Sequence, residues 1–243
     1  MRKVCLCLTV KGIFNKMDCM IKKVNCCFYI CLCFCVNAFS QGIVTASDYF
    51  KSVSDYYATL KDYEASVEIV ADKQEMMGIV SYKKPDLLKI EFSKPQDQVI
   101  VFNGEMLTIY LPGSSSVLQQ SVQSDKANAA SIATSQGLSL LRRYYVIAYE
   151  FGQEPLPLEN GSNEQVVKLK LSRRNTSEAF QTIKIAINSE TNLIRRIEAF
   201  TPKGETYSFN FLDYKINQDI TDQRFIYDPP SSANNYNNFL FSE

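Results

Sequence analysis

Chemistry in residues 41–243 must come from carboxylates, lysines and tyrosines, because the chain has no histidine and this part of it has no cysteine. A histidine general base, a Ser-His pair and a Cys-His pair are therefore excluded as catalytic devices. A metal site built on histidine is excluded as well, and we predict neither a metal nor a cofactor. All cysteines lie within the first 35 residues. They are Cys5, Cys7, Cys19, Cys26, Cys27, Cys31, Cys33 and Cys35.

The carboxylates do not form a recognisable catalytic pair. Asp86 and Glu91 are close in sequence, but their positions do not indicate the opposed placement that glycoside hydrolysis requires. We interpret Glu64, Glu68 and Asp72 as solvated charges of strands and turns. The glycines are isolated, so no glycine-rich phosphate loop is present. We therefore expect a protein that is not an enzyme.

Charge is distributed unevenly along the chain. Residues 1–40 contain six basic side chains and one acidic one, which leaves 20 basic and 25 acidic side chains in residues 41–243. Residues 41–243 therefore carry a net negative charge, which is poorly suited to binding phosphate backbones, so nucleic acid is excluded as a partner. The pairs at 173–174 and 195–196 are short arginine runs. Each is either a docking site or simply solubilising charge.

The first forty residues have the pattern of a secretory signal. Lys22 and Lys23 precede an apolar run over residues 24–36, and small residues follow that run. The run is shorter than the roughly twenty apolar residues that a membrane-spanning helix needs. We expect an export signal, and an uncleaved membrane anchor is the alternative.

This interpretation also predicts how the chain is processed. Met17 or Met20 would begin a signal of ordinary length, which places residues 1–19 in an over-extended reading frame. Cleavage is expected between Ser40 and Gln41. Residues 41–243 would then form a single domain without cysteine, which folds without disulfides.

The apolar periodicity beyond the signal predicts one helix followed by many strands. Apolar residues recur at helical spacing from Ala46 to Leu60, and Thr45 with Asp48 resembles a capping box. After this helix the period changes to two, which is typical of antiparallel strands with one wet face. Residues 138–145 interrupt the strands as a short amphipathic helix. About ten or eleven strands are expected, in a large curved sheet or open barrel of the mainly β, α+β class.

One segment carries a family resemblance. Residues 78–92, with the sequence GIVSYKKPDLLKIEF, resemble the signature of the periplasmic outer-membrane lipoprotein carrier proteins of the LolA type. In that family a strand with the pattern glycine, apolar, aromatic, basic, basic, proline leads into a second strand of alternating apolar residues. The resemblance continues, in the family's order, over residues 95, 99–104, 107–112, 194–198, 206–209, 216–217 and 225–230.

The resemblance implies a fold and a function. The family fold is an unclosed antiparallel half-barrel whose concave apolar face is covered by helices, here expected at 45–61 and 128–145. The implied function is that of a monomeric periplasmic carrier for the acyl chains of lipoproteins. Such a carrier receives acylated lipoproteins from an inner-membrane lipoprotein-releasing ABC transporter and delivers them to an outer-membrane acceptor protein or membrane. The alternative is a periplasmic module that senses or binds lipid or lipoprotein without ferrying it.

The resemblance also assigns roles to residues. Lysine at position 84 takes the place of the family's arginine, which precedes the signature proline and donates to backbone carbonyls of the lid. Lys84 keeps the charge but lacks the planar five-donor fork, so we expect a weaker latch or merely a solvated lysine. Leu138 and Leu141 are assigned to the lid helix. The implied acyl lining consists of Leu88, Ile90, Phe92, Val99, Val101, Leu107, Ile109, Ile183, Ile185, Phe209 and Phe211. Alternation alone favours a filled core at these positions.

Overall fold

The structure is a computed structural model that describes residues 43–121 and 134–238. The predicted signal, its cleavage site at Ser40 and Gln41, and the first part of the second predicted helix lie outside the described residues. The helices are α1 (Ala46–Thr59) and α2 (Ser135–Tyr144). The strands are β1 (Asp62–Ala71), β2 (Gln74–Lys83), β3 (Leu87–Lys94), β4 (Val99–Asn103), β5 (Met106–Leu111), β6 (Ser116–Ser121), β7 (Tyr145–Tyr149), β8 (Leu156–Pro157), β9 (Gln165–Arg173), β10 (Thr182–Asn188), β11 (Ile194–Phe200), β12 (Thr206–Ile216) and β13 (Asn234–Asn237).

Both helices begin at capping residues. The Thr45 hydroxyl accepts a hydrogen bond from the backbone N–H of Asp48 at 3.1 Å and donates to the Asp48 carboxylate at 2.7 Å. Thr45 is therefore an N-cap, whereas the Asp48 carboxylate accepts from the Thr45 hydroxyl and not from the backbone N–H that a complete capping box would use. Helix α2 begins in the same way, because the Thr134 hydroxyl accepts from the backbone N–H of Gly137 at 3.1 Å.

All of these strands belong to one sheet. The order along it is β13-β6-β5-β4-β3-β2-β1-β12-β11-β10-β9-β7, and β8 pairs with β9. Neighbouring strands are antiparallel except for β13, which is parallel to β6. Within the described residues the edge strands β13 and β7 do not pair with each other, so the sheet is an open half-barrel. The predicted fold class is confirmed.

The predicted number of strands is too low. Thirteen strands occur in the described residues rather than ten or eleven. Strand β8 has only two residues, and β13 has the sequence NNYN with all four residues exposed. Neither strand carries an alternating apolar row, so the periodicity could not reveal them.

The strand directions define two ends of the sheet. The turns at 72–73, 174–181 and 201–205 lie at one end, which we call the hairpin end. Helix α1 leads into β1 at the opposite end, which we call the α1 end. Helix α2 finishes at the hairpin end, where the Arg174 backbone N–H donates to the Tyr144 carbonyl at 2.9 Å.

The two faces of the sheet have different covers. Helices α1 and α2 pack on one face, which we call the helix-bearing face, and share its hydrophobic core. On the outer face, a 3-10 turn at Asp222–Phe225 lies against β3 and β4. Phe225 is 2% exposed there, and the Arg224 guanidinium pairs with Glu64 and Glu91. The chain after β12 therefore covers part of the sheet's back.

Gly78 allows β2 and β3 to approach closely. The register shifts between Met77 and Gly78, as in a β-bulge. A Cβ atom at position 78 would lie 2.3 Å from the Glu91 carbonyl oxygen and 2.9 Å from the Phe92 Cα. The glycine of the signature segment is thus a packing requirement of the sheet.

Candidate binding face

The strand register gathers most of the predicted lining on the helix-bearing face. Paired residues of antiparallel strands point to the same side, so Leu88 shares its face with Phe102, and Ile90 shares its face with Ile100. The same argument across neighbouring strands brings nine predicted residues together. They are Leu88, Ile90, Phe92, Leu107, Ile109, Ile183, Ile185, Phe209 and Phe211.

The prediction is wrong for Val99 and Val101. These residues pair with Glu91 and Lys89, so they lie on the outer face rather than beside Leu88. Val101 is only 4% exposed. Its strand packs there against the 3-10 turn that contains the buried Phe225. In β4 the residues on both faces are apolar. Ile100 and Phe102 pack against the core of the helix-bearing face, whereas Val101 is buried on the side of the 3-10 turn.

The centre of the helix-bearing face is filled by protein side chains. Phe50, Val53 and Tyr57 of α1 and Leu138 and Leu141 of α2 belong to the same buried cluster as the strand residues. The strand residues in the cluster include Leu88, Ile90, Phe92, Ile183, Ile185 and Phe211. Both helices therefore cover the central rows in this state. A ligand at the centre would have to displace one of them.

The helix-bearing face is less covered at its hairpin end. Met76, Phe180, Tyr207 and Phe209 are only half-buried, although all four pack against the core. The rings of Phe180 and Tyr207 meet edge to face with centroids 5.9 Å apart. The Tyr145 hydroxyl holds this corner by donating to the Phe180 carbonyl at 3.1 Å. We call these four apolar residues the mouth.

A second half-buried stretch continues the same face across β4 to β6. Ile100 and Phe102 pack against the core, and Ile109 and Leu118 extend the row beyond it. Leu107 in this stretch is 8% exposed. The apolar face thus extends from a filled centre into partly exposed regions on two sides.

Lys84 connects the signature segment to α1. Its Nζ donates to the backbone carbonyl of Ala58, in the last turn of the helix. That turn contains no basic residue of its own, and its carbonyls carry the negative end of the helix dipole. A cation from the β2–β3 turn therefore caps the helix. The contact has the form that the resemblance implies for a latch.

Sequence reasoning missed a buried hydrogen-bonded group that also holds α1. The Tyr57 hydroxyl accepts from the Ile194 backbone N–H at 2.9 Å, and the Tyr214 hydroxyl donates to the Ile194 carbonyl at 3.0 Å. The two hydroxyls lie 3.4 Å apart. Burial raises the pKa of Tyr57 to about 12, so this phenol stays neutral. Only the helical spacing of Tyr57 was visible in the sequence.

The first residue of α2, Ser135, contacts Tyr82 of the signature segment. Burial raises the pKa of Tyr82, and a hydrogen bond from the side chain of Ser135 acts in the opposite direction. The Tyr82 hydroxyl also donates to the Pro85 carbonyl at 3.1 Å. The segment around Pro85 thus contacts both helices, α1 through Lys84 and α2 through Tyr82.

In residues 43–121 and 134–238, no three carboxylate side chains are grouped in a way that could hold a metal ion. The same residues contain no helix long and apolar enough to cross a membrane.

A cleft of about 380 Å³ opens where β11 and β12 diverge, and the Arg195–Glu164 ion pair forms part of its lining.

The open half-barrel with two helices on one apolar face is the fold that the resemblance to LolA-type proteins implies, and comparison of the sequence assigns the family. Residues 68–228 match the family "Outer membrane lipoprotein carrier protein LolA", and the chain belongs to this family. Outer-membrane lipoprotein carrier proteins of Pseudomonas paraeruginosa and Pseudomonas aeruginosa are each 24% identical to it over 158 residues, covering 65% of this chain and 69% of theirs.

A solved structure agrees on the fold. The crystal structure of an uncharacterized conserved protein from Thermus thermophilus superposes with a TM-score of 0.52 at 13% identity. The superposition covers 77% of this chain and 96% of that protein. The likeness shows that the two proteins share the half-barrel fold, although only 13% of the residues are identical.

Proposed function

We propose that this protein is a periplasmic carrier that binds the acyl chains of lipoproteins on its helix-bearing face and shuttles them from the inner to the outer membrane. The observation that carries the proposal is the mouth, where apolar side chains continuous with a buried core remain half-exposed. Exposed apolar surface of this kind commonly marks a binding site. Membership of the lipoprotein carrier family supplies the ligand class.

The energetics favour a ligand that enters under the helices. Each buried methylene contributes about 0.8 kcal/mol, so an acyl chain of about sixteen carbons offers roughly 12 kcal/mol when fully buried. The mouth alone covers only part of such a chain. Burial of the remainder requires α1 or α2 to move away from the rows that contain Leu88 and Ile185. The nine residues on this face then become the lining of the loaded state.

Lys84 is the latch in this proposal. Its bond to the Ala58 carbonyl holds the last turn of α1 against the sheet, and loading breaks that bond. Leu138 and Leu141 belong to the second movable cover, α2. A ligand that needs the uncovered state gains apparent affinity when the covered state is weakened.

The partners and location follow from the same proposal. The signal over residues 1–40 directs export, with cleavage between Ser40 and Gln41, and residues 41–243 act as a monomer. Acylated lipoproteins are received from an inner-membrane lipoprotein-releasing ABC transporter and delivered to an outer-membrane acceptor protein or membrane.

The test is native mass spectrometry of the protein purified from periplasm, followed by transfer of a bound acylated peptide to acceptor vesicles. We expect an acylated polypeptide to co-purify with the wild type and not with Phe209→Glu, which places a charge at the mouth. Lys170→Glu, on the exposed outer side of β9, is the matched control and should retain the ligand. Absence of any acyl ligand from the wild type refutes the carrier. Binding without delivery to any membrane would indicate a sensor or binding module instead.

A further inference from the structure

The arginines of the described chain fall into two groups. Arg195 and Arg196 pair with Glu164 and Glu159 of the turn between β8 and β9, and Arg224 pairs with Glu64 of β1. The other four form no ion pair with any residue of the described ranges, 43–121 and 134–238. They are Arg142, Arg143, Arg173 and Arg174, and we call them the arginine corner.

Tertiary structure brings these four residues together from two segments. Arg142 and Arg143 lie in the last turn of α2. The first residue after the helix, Tyr145, pairs with Arg173 across β7 and β9. The Arg174 backbone N–H donates to the Tyr144 carbonyl at 2.9 Å. Two basic pairs thirty positions apart in sequence therefore form one corner.

Two of the four arginines in the corner are exposed to solvent, and Arg142 is half-buried. Arg143 and Arg174 are exposed, and the Arg143 guanidinium lies 5.6 Å from the centre of the Tyr144 ring. Arg173 is engaged locally, since its Nη1 donates to the Thr176 and Glu178 carbonyls at 3.3 and 3.2 Å. Glu178 is the single acidic residue in the turn at 174–181, so the corner keeps a net positive charge. The body of the chain is acidic by comparison.

The corner lies at the hairpin end, beside the mouth. Phe180 of the mouth belongs to the same turn as Arg174, and its carbonyl accepts from the Tyr145 hydroxyl, one residue after the Tyr144 carbonyl that binds Arg174. Val146, the next residue of β7, is 49% exposed on the outer face of the same end. Basic groups next to aromatic and exposed apolar side chains are typical of surfaces that sit at a lipid headgroup layer. An acyl chain leaving the mouth would emerge at that point.

We propose that the arginine corner docks the hairpin end onto an anionic phospholipid bilayer, with the mouth facing the membrane. The proposal deepens the carrier function and rests on it for the direction of transfer. The recognised chemistry is the phosphate of the headgroup, which guanidinium groups contact by charge-assisted hydrogen bonds. Attraction to an anionic surface contributes about a fivefold gain in binding per basic side chain.

The test is co-flotation of the empty full-length mature protein with phosphatidylcholine vesicles containing about one-third phosphatidylglycerol. The double variant Arg143→Gln/Arg174→Gln should bind about twenty-five-fold more weakly than the wild type. The control Lys61→Gln/Lys170→Gln removes the same charge from exposed positions elsewhere and should bind within about twofold of the wild type. Wild-type binding should also weaken at high salt.

Two results would overturn the docking proposal. One is equal loss of binding in the two double variants, which would show a general charge effect. The other is a wild type that does not bind anionic vesicles even at low salt, which would leave an acidic protein surface as the partner. Loading of acylated peptide from detergent, measured without vesicles, should be unchanged in Arg143→Gln/Arg174→Gln. A failure of the carrier function would appear in that loading assay and not in flotation.

Discussion

Replacing Lys84 by methionine tests whether the contact with α1 controls access to the helix-bearing face. The change keeps an unbranched apolar stem and removes the ammonium group that donates to the Ala58 carbonyl. Lys83 provides a neighbouring control, because its ammonium group pairs with Asp222 on the outer face. The two variants therefore lose the same charge, one residue apart, on opposite sides of the sheet.

The expected magnitude follows from the exposure of the bond. A hydrogen bond from a charged donor is worth about 1.5–3 kcal/mol when shielded, and an exposed pair retains about 1 kcal/mol or less. Weakening the closed state by about 1 kcal/mol raises the open population roughly fivefold while that population remains small. The apparent affinity for an acyl ligand should then rise by about the same factor.

The measurement is the loading of an acylated peptide from detergent. Loading is monitored by fluorescence while the protein concentration is varied. We expect Lys84→Met to load about two- to fivefold more tightly than the wild type and Lys83→Met to match the wild type. Lys84→Arg should restore or strengthen closure, because the guanidinium offers more donors in a fixed geometry. Equal loading by all four proteins would refute the reasoning, and Lys84 would then be a helix cap without a gating role.

Four further substitutions test the packing. Leu88→Glu should lower the unfolding free energy by about 3–5 kcal/mol because it buries a carboxylate in the core, whereas Phe209→Glu at the mouth should cost about 1–2 kcal/mol and abolish loading. Equal thermal shifts would contradict this division. Tyr57→Phe should lower the melting temperature by about 2–8 °C, because the Ile194 N–H loses its buried acceptor; an unchanged melting curve would show that the bond is dispensable. Gly78→Ala should cost about 3 kcal/mol in chemical denaturation, since its Cβ would meet β3 backbone, and a wild-type midpoint would show that the strands separate easily.

Alternation of residue type was sufficient to predict the faces of most strands. Ile183 and Ile185 alternate with lysine and alanine, and the structure buries both on the helix-bearing face. In β4 the run Val-Ile-Val-Phe is apolar on both sides, so period two could not decide which set faces the helices. The outer side of β4 is buried by the 3-10 turn that contains Phe225, more than a hundred residues later in the sequence.

Contacts between distant segments account for the rest of the site. The resemblance selected Lys84, but only the folded chain shows that its partner is a carbonyl of α1. Tyr57 has the helical spacing of a core residue, and its hydrogen-bond partner at Ile194 lies 137 positions away. The two arginine pairs of the corner likewise look like ordinary surface charge until β7 pairs with β9.

The seam between β1 and β12 has a consequence for how the chain folds. The Asp62 carboxylate at the start of β1 accepts from the Gln218 backbone N–H at 2.7 Å, across a sequence separation of 156 residues. Pairings of such long range close slowly, because a large loop must be ordered before any contact is gained. Until β12 has been synthesised, β1 has an unpaired edge in the middle of the future sheet, and such edges promote aggregation. The nascent chain is therefore vulnerable until almost its last strand, and a chaperone that shields β1 during that interval would raise the yield of folded protein.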